Sequence, residues 1–243
     1  MDVYPLILAS KKQKKFALLI DPDECKESDL KRRIEKANKA KVDFIFVGGS
    51  LITNENMNYC LSVIHKHTPI PVVLFPGNGN HIHPNADAIL FLSLISGRNA
   101  DLLIGNHVHS APLIRHMNLE TIPTGYMLIE SGRLTTAQYM SGSLPIPHDK
   151  PAVAMATAIA GEMLGLKAIY MDAGSGAQIP ISEEMIRKVK ENISVPLILG
   201  GGIRDVASAV KAARAGADII VVGNAIEEND QLIHQFAEAI HQL

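Results

Sequence analysis

The sequence predicts a (β/α)8 TIM barrel, α/β in class, with its third helix replaced by an extended loop and a single domain spanning residues 1–243. Three observations predict it. Eight short apolar runs recur from end to end, each continuous rather than alternating, as strands buried on both faces of a parallel sheet read. Longer amphipathic segments separate those runs. The length, with 47% hydrophobic and 20% charged residues, is ordinary for such a barrel and supplies enough apolar material for a core without staples.

The runs are residues 16–20, 43–47, 71–75, 87–92, 121–129, 167–171, 196–199 and 218–222. Between the first two, segment 28–40 is highly charged but sets Leu30, Ile34 and Ala37 at helical spacing; segment 54–65 does the same with Met57, Leu61 and Ile64. Segments 152–166, 182–191, 206–215 and 230–243 complete the helices, several behind a capping Ser, Asp or Asn. Segment 99–117 also reads as helix, bent or interrupted at Pro112. One connection differs. Residues 76–86 carry Pro76, Gly77, Gly79 and Pro84, which leave no room for a crossover helix. Eight near-equal units without a linker or a switch-point signature fit a closed barrel better than a doubly wound open sheet.

A net charge of −2 and a pI near 6.5 exclude a general attraction to nucleic acid or anionic lipid. The one basic run, Lys11-Lys12-Gln13-Lys14-Lys15, reads as a solvated approach to the first strand. Cys25 and Cys60 are the only cysteines, without CxxC or metal-like spacing, so no disulfide and a reducing setting are expected. The N-terminus has no signal-peptide pattern, and no stretch approaches the roughly 18 apolar residues of a spanning helix. A soluble, cytoplasmic protein is the expectation.

In such a barrel the loops after each strand build the active face. The seventh and eighth loops carry the strongest signal: Gly200-Gly201-Gly202 ahead of a helix start, then Gly223-Asn224 one unit later. Glycines let backbone N–H groups approach phosphate oxygens, and a helix N-terminus adds its positive end, so this pair reads as a phosphate cradle. The sixth loop adds Asp172, Gly174, Ser175 and Gly176, and Tyr170 alternates with Met171 so that it points the same way as Asp172. Inward-facing, these residues reach a small polyol phosphate held next door; the bland reading makes Tyr170 a packing residue and Asp172 a turn cap. Asp21 and Ser50 form the opposite wall, where a carboxylate and a hydroxyl suit a hard cation such as Mg²⁺ that also binds substrate phosphate. Asp23 either helps or caps the following helix. His81 and His83 lie in a flexible loop, and His107 and His109 are two apart on a helix and so diverge. Without Cys partners or further spaced ligands, zinc is not expected.

Taken together the motifs resemble the geranylgeranylglyceryl phosphate synthase family, which also includes bacterial heptaprenylglyceryl phosphate synthases. Leu19-Ile20-Asp21-Pro22-Asp23, Gly48-Gly49-Ser50, Phe75-Pro76-Gly77-Asn78, Ser96-Gly97-Arg98-Asn99, Ile104-Gly105-Asn106-His107 and Pro123-Thr124-Gly125-Tyr126 carry the resemblance, with stretches 170–177, 200–204 and 222–225. Barrels of that family are similar in lacking the third helix. The resemblance implies prenyl transfer from a polyprenyl diphosphate to the terminal hydroxyl of sn-glycerol 1-phosphate, forming an ether and releasing diphosphate. By similarity Asp21 and Ser50 hold Mg²⁺ against the diphosphate. Tyr170, Asp172, Gly174, Ser175 and Gly176 hold the acceptor, with Gly201, Gly202, Gly223 and Asn224 on its phosphate, and Asp172 takes the hydroxyl proton. The tail needs an apolar groove, for which the gap left by the third helix is an entrance.

Two positions depart from the family pattern. Leu19 stands where shorter bacterial members carry Lys, and Asp172 stands where many relatives have Glu. The Asp-Ala-Gly-Ser-Gly-Ala form of residues 172–177 leans toward geranylgeranyl diphosphate as donor. The resemblance further implies a homodimer or higher homo-oligomer, and an amphiphilic product leaves room for transient membrane contact. Two other readings stay open: a sugar-phosphate isomerase or aldolase on the same scaffold, and a non-catalytic phospholigand-binding protein. An aldolase would want a strand lysine at the active face, but Lys167 is the only Lys in a predicted strand and starts it.

Overall fold

The eight apolar runs form eight parallel strands that pair in sequence order and close into a barrel, β1 against β8. They are β1 (Lys15–Ile20), β2 (Phe44–Val47), β3 (Val72–Leu74), β4 (Ala88–Leu94), β5 (Glu120–Leu128), β6 (Ala168–Asp172), β7 (Leu197–Gly200) and β8 (Ile219–Val222). The computed structural model describes residues 2–24, 26–54 and 56–243. Cys25 and Glu55, the latter within the expected helix 54–65, lie outside the described residues.

Alternation along each strand sorts side chains into two cores. Ala17, Phe44, Phe46, Val73, Leu90, Ile122, Ala168, Tyr170, Ile198 and Val221 fill the barrel interior. Their neighbours Leu18, Ile45, Leu74, Ile89, Met171, Leu199 and Val222 face outward, where the helices bury them. These helices are α2 (Glu27–Ala40), α3 (Met57–His67), α4 (Asn106–His116), α6 (Pro151–Met163), α7 (Glu183–Lys190), α8 (Val206–Ala215) and α10 (Leu232–His241). Both faces of each strand are therefore apolar, which is why the runs read as continuous. Cys60 is buried on α3.

Acidic residues tie the N-terminal ends of the strands together. Asp43 accepts the Phe16 N–H at 2.9 Å, Asp87 that of Val72 at 2.8 Å, and Asp218 that of Leu197 at 2.8 Å. Lys14 and Lys15 pair with Asp218 (3.4 Å) and Asp43 (2.9 Å), so of the run's lysines only Lys11 and Lys12 stay in solvent as expected. A short helix unforeseen in the sequence, α1 (Tyr4–Ala9), closes this end. Its first N–H groups, from Val3 and Tyr4, donate to Glu120 (2.5 and 2.9 Å), and Val3 and Ile7 are fully buried against the interior residues. Six residues are too few to show a helical period.

Between β3 and β4 there is only a 3₁₀ turn, Gly79–His81, so the third helix is replaced by a loop as the sequence predicts. Pro112 sits inside α4 without ending it; the irregular stretch is a π-helical turn just ahead, Asp101–Gly105. Two further short helices complete the chain: α5 (Thr136–Ser141), opened by a Thr135–Gln138 capping box, and α9 (Asn224–Glu228). Among the described residues, no helix is long and apolar enough to cross a membrane.

Candidate active site

The residues predicted for the site converge at the C-terminal mouth of the barrel. Tyr170 and Asp172 both point inward from β6 and border one polar cavity of about 520 Å³. With them stand Asp21, Ser50, Ser175, Gly176, Gly201, Gly202, Gly223 and Asn224, from loops that are distant in sequence. Gly174 does not border the cavity; its N–H instead donates to Asp172 Oδ1 at 2.6 Å.

Asp172 is the organising group. Its Oδ2 accepts from the Tyr126 hydroxyl and its Oδ1 from Gly174. Burial pushes the carboxyl above its ordinary range, against these two donors, which pull it down. Each oxygen keeps a lone pair, so the carboxylate can still accept from a ligand hydroxyl. The space it occupies exists because residue 201 is glycine: a Cβ there would stand 2.2 Å from Asp172 Oδ1, and its φ of +71° is one that side chains resist. The neighbouring Gly200 gives the Tyr170 ring its place, since a Cβ would meet the phenol oxygen at 2.1 Å. Ser175 donates to Asn224 Oδ1 at 3.0 Å and so links the sixth and eighth loops.

Asp21 and Ser50 border the same cavity as Asp172. Asp21 Oδ1 accepts the Asp23 N–H at 2.9 Å, and Oδ2 lies 3.0 Å from where a Cβ on Gly49 would be. Burial raises the Asp21 carboxyl and the charges of Asp23 and Glu24 add to it, against the Asp23 N–H. Glu227, another cavity residue, is raised by burial and by Asp21. Mutual repulsion of this kind is what a divalent cation relieves. Asp23 is otherwise engaged: it accepts from the Thr53 N–H (2.7 Å) and hydroxyl (2.8 Å) and the Asn54 N–H (3.0 Å), pinning the loop after β2. It neither faces this cavity nor caps α2. No described cluster of three His, Cys, Asp or Glu could hold a metal by protein ligands alone.

A second cavity, of about 320 Å³ and mainly apolar, adjoins the first. It passes over β4 between the loop that replaces the third helix and the π turn and α4, bordered by Leu90, Phe91, Leu92, Leu102, Tyr126 and Met140. Gly49, Ser50 and Phe75 border both cavities. Here Phe75 stacks on Tyr170 (centroids 4.9 Å apart, 12°), and Tyr126 meets Phe75 edge-on at 5.9 Å.

The histidine pairs separate as their spacing implies. His107 is buried edge-on to Phe91 at 4.4 Å while His109 is exposed. His81 is buried, and its Nδ1 accepts the Gly77 N–H at 3.0 Å, holding the loop. The sequence reading gave no role to Tyr126 or Arg133. Tyr126 pairs in register with Tyr170 and shares its inward alternation, a signal that was available. Arg133 follows Gly132 in the fifth loop and borders the polar cavity, its Nη1 3.5 Å from where a Gly176 Cβ would be. Among the described residues it has no hydrogen-bond or ion-pair partner. Leu19 also borders this cavity, against Gly223, so no lysine charge acts from that position.

Residues 9–240 match the PcrB family. The chain belongs to it. Over 228 residues this PcrB-family chain is 52% identical to the geranylgeranylglyceryl phosphate synthase of Chitinophaga pinensis, covering 94% of the chain and 90% of that protein. The protein of the same name from Spirosoma linguale is 50% identical over 230 residues, 95% of this chain and 92% of its own. The crystal structure of (S)-3-O-geranylgeranylglyceryl phosphate synthase from Thermoplasma acidophilum, in complex with its substrate sn-glycerol-1-phosphate, matches at TM-score 0.94 and 33% identity over 100% of both chains. The resemblance read from the motifs therefore holds along nearly the whole chain.

Proposed function

We propose that this PcrB-family chain is a prenyltransferase that joins a polyprenyl diphosphate, with geranylgeranyl diphosphate the favoured donor, to the terminal hydroxyl of sn-glycerol 1-phosphate. The observation that carries the reading is the adjacency of two unlike cavities, one apolar and one lined by glycine loops and carboxylates, that meet at Gly49, Ser50 and Phe75. An amphiphilic donor and a small phosphorylated acceptor need such a pair.

Gly201, Gly202, Gly223 and Asn224 bind the acceptor phosphate through backbone N–H groups. Tyr170, Asp172, Ser175 and Gly176 surround its glycerol, and Gly174 sets the Asp172 carboxylate. The acceptor oxygen gives an electron pair to the allylic carbon, the carbon–oxygen bond to diphosphate breaks, and the hydroxyl proton passes to Asp172. A carboxyl raised by burial is a better base than an exposed one, and a strong electrophile asks little of it. The apolar cavity keeps water from the developing cation.

Asp21 and Ser50 would hold Mg²⁺, the ion that neutralises charge on the departing diphosphate. The residues fit: two oxygen donors, Ser50 at the junction and Asp21 beside Gly49 on the polar cavity, a carboxylate raised by burial and acidic neighbours, and room for phosphate oxygens to complete the shell. Among the described residues, no lysine borders the polar cavity, and Lys15 and Lys167 lie at the opposite end, Lys15 on Asp43 and Lys167 over the Tyr4 ring. That weighs against a Schiff-base aldolase.

The same reading includes a cytoplasmic enzyme that associates as a homodimer or higher homo-oligomer. Met163 and Leu164, 82% and 81% exposed at the end of α6, offer apolar surface for that contact. Leu134, Tyr139 and Leu144 are exposed on and next to α5, whose Ala137, Met140 and Ser141 border the apolar cavity, and they suit transient contact with a membrane that supplies the donor. The test is incubation of the protein with labelled glycerol 1-phosphate, Mg²⁺ and a series of prenyl diphosphates, followed by mass analysis. An ether product is expected, in highest yield from the geranylgeranyl donor. No ether from any donor would overturn the assignment.

A further inference from the structure

We propose that the Phe75 ring stabilises positive charge on the allylic carbon of the donor as its bond to diphosphate breaks. The proposal rests on the prenyl-transfer reading above. The reacting carbon joins hydrocarbon to diphosphate, so it lies where the apolar cavity meets the polar one. Gly49, Ser50 and Phe75 are the residues that border both. Gly49 has no side chain, and a serine hydroxyl beside a carbocation is a nucleophile that would capture it. An aromatic ring attracts a cation through its quadrupole and forms no bond to it.

The ring is held in place from several directions. Phe75 follows β3 directly, and Gly48 packs so closely on its backbone that a Cβ at Gly48 would stand 1.9 Å from the Phe75 carbonyl oxygen, which fixes where the ring starts. Tyr170 covers one side of the ring as a parallel stack, and Tyr126 contacts it edge-on (69° between planes). Phe75 is half-buried, and its remaining surface borders the cavities. Tyr126 also donates to Asp172, so the ring beside the developing cation and the carboxylate that takes the proton are joined through one side chain. Fixed geometry of this kind stabilises a transition state without reorganisation during the reaction.

Fluorination tests the idea, because it weakens the ring quadrupole while keeping its shape. Phe75 is replaced by 4-fluoro-, 3,5-difluoro- and 3,4,5-trifluorophenylalanine, and single-turnover rates of ether formation are measured with thermal unfolding midpoints as the control for folding. The rate is expected to fall stepwise, by roughly tenfold at the trifluoro ring, or ~1.4 kcal/mol of barrier. KM for both substrates should stay within about twofold, since the allylic carbon carries no charge before its bond to diphosphate breaks and so gains little from the quadrupole in the ground state. Phe75→Leu should lose at least as much rate as the trifluoro variant. A flat series on a wild-type protein that turns over overturns the proposal and leaves prenyl transfer standing. No ether product from the wild-type protein overturns both.

Discussion

Replacing Tyr126 by Phe removes one oxygen from the site and leaves the aromatic packing on Phe75 and Tyr170 in place. Asp172 then keeps the Gly174 N–H at 2.6 Å and loses the phenol donor on its other oxygen. A hydrogen bond to an ionised group is worth about 1.5–3 kcal/mol, and 1.36 kcal/mol corresponds to one pKa unit. The lost bond favoured the charged form, so the Asp172 carboxyl, already raised by burial, should rise further. A base must be ionised to accept the acceptor's proton. The acid limb of the kcat profile in Tyr126→Phe should therefore move to higher pH, while KM for the donor stays within about twofold. Stability follows the same sign. A carboxyl whose folded pKa exceeds its unfolded value favours folding below the unfolded pKa and loses that contribution as pH rises through the folded pKa. Tyr126→Phe should thus be less stable than wild type at neutral pH by about 1.5–3 kcal/mol, with the gap narrowing toward acid. Rate profiles and urea unfolding across the acid and neutral range measure both. An acid limb that stays in place, or moves to lower pH, would refute the role given to this bond.

Other perturbations separate the parts of the site. Gly201→Ala forces a side chain into a φ of +71° and against Asp172, and should destabilise by roughly 2–5 kcal/mol in urea titration while weakening acceptor binding. Asp21→Ala should abolish Mg²⁺-dependent prenyl transfer while sn-glycerol 1-phosphate still binds by calorimetry; retained turnover with Mg²⁺ would remove Asp21 from the metal site. Arg133→Gln takes away an unpartnered cation at the polar cavity, and should raise KM for a phosphorylated substrate about tenfold with kcat little changed, as loss of one charge-assisted contact predicts.

The barrel was legible because burial on both strand faces writes itself as continuous apolar runs, and the missing third helix because Pro76, Gly77, Gly79 and Pro84 crowd one connection. That Gly201, Gly202, Gly223 and Asp172 would border one cavity was legible from their place at the strand ends. Less legible was what depends on pairing across the barrel. Nothing near Tyr126 in sequence announces Asp172, 46 residues away, as its partner. Residues 4–9 betray no helix because Glu120, more than a hundred residues on, supplies the cap. Of the bend or break expected at Pro112, the break does not occur: tolerance of a proline depends on whether the rest of the helix is anchored, and α4 is held through the buried His107 and Ile114.

A barrel of this kind ordinarily completes its outer ring with eight segments of its own chain. Here one position holds only a 3₁₀ turn, and beside it an apolar channel runs over β4. If the donor's hydrocarbon lies there, at ~0.8 kcal/mol for each buried CH₂, the tail takes over part of the covering that a helix would give. The substrate would then serve for a time as a piece of the architecture. Binding energy and folding energy would be shared in that quarter, and amide exchange in β3 and β4 should slow when the donor binds and recover when the ether product departs.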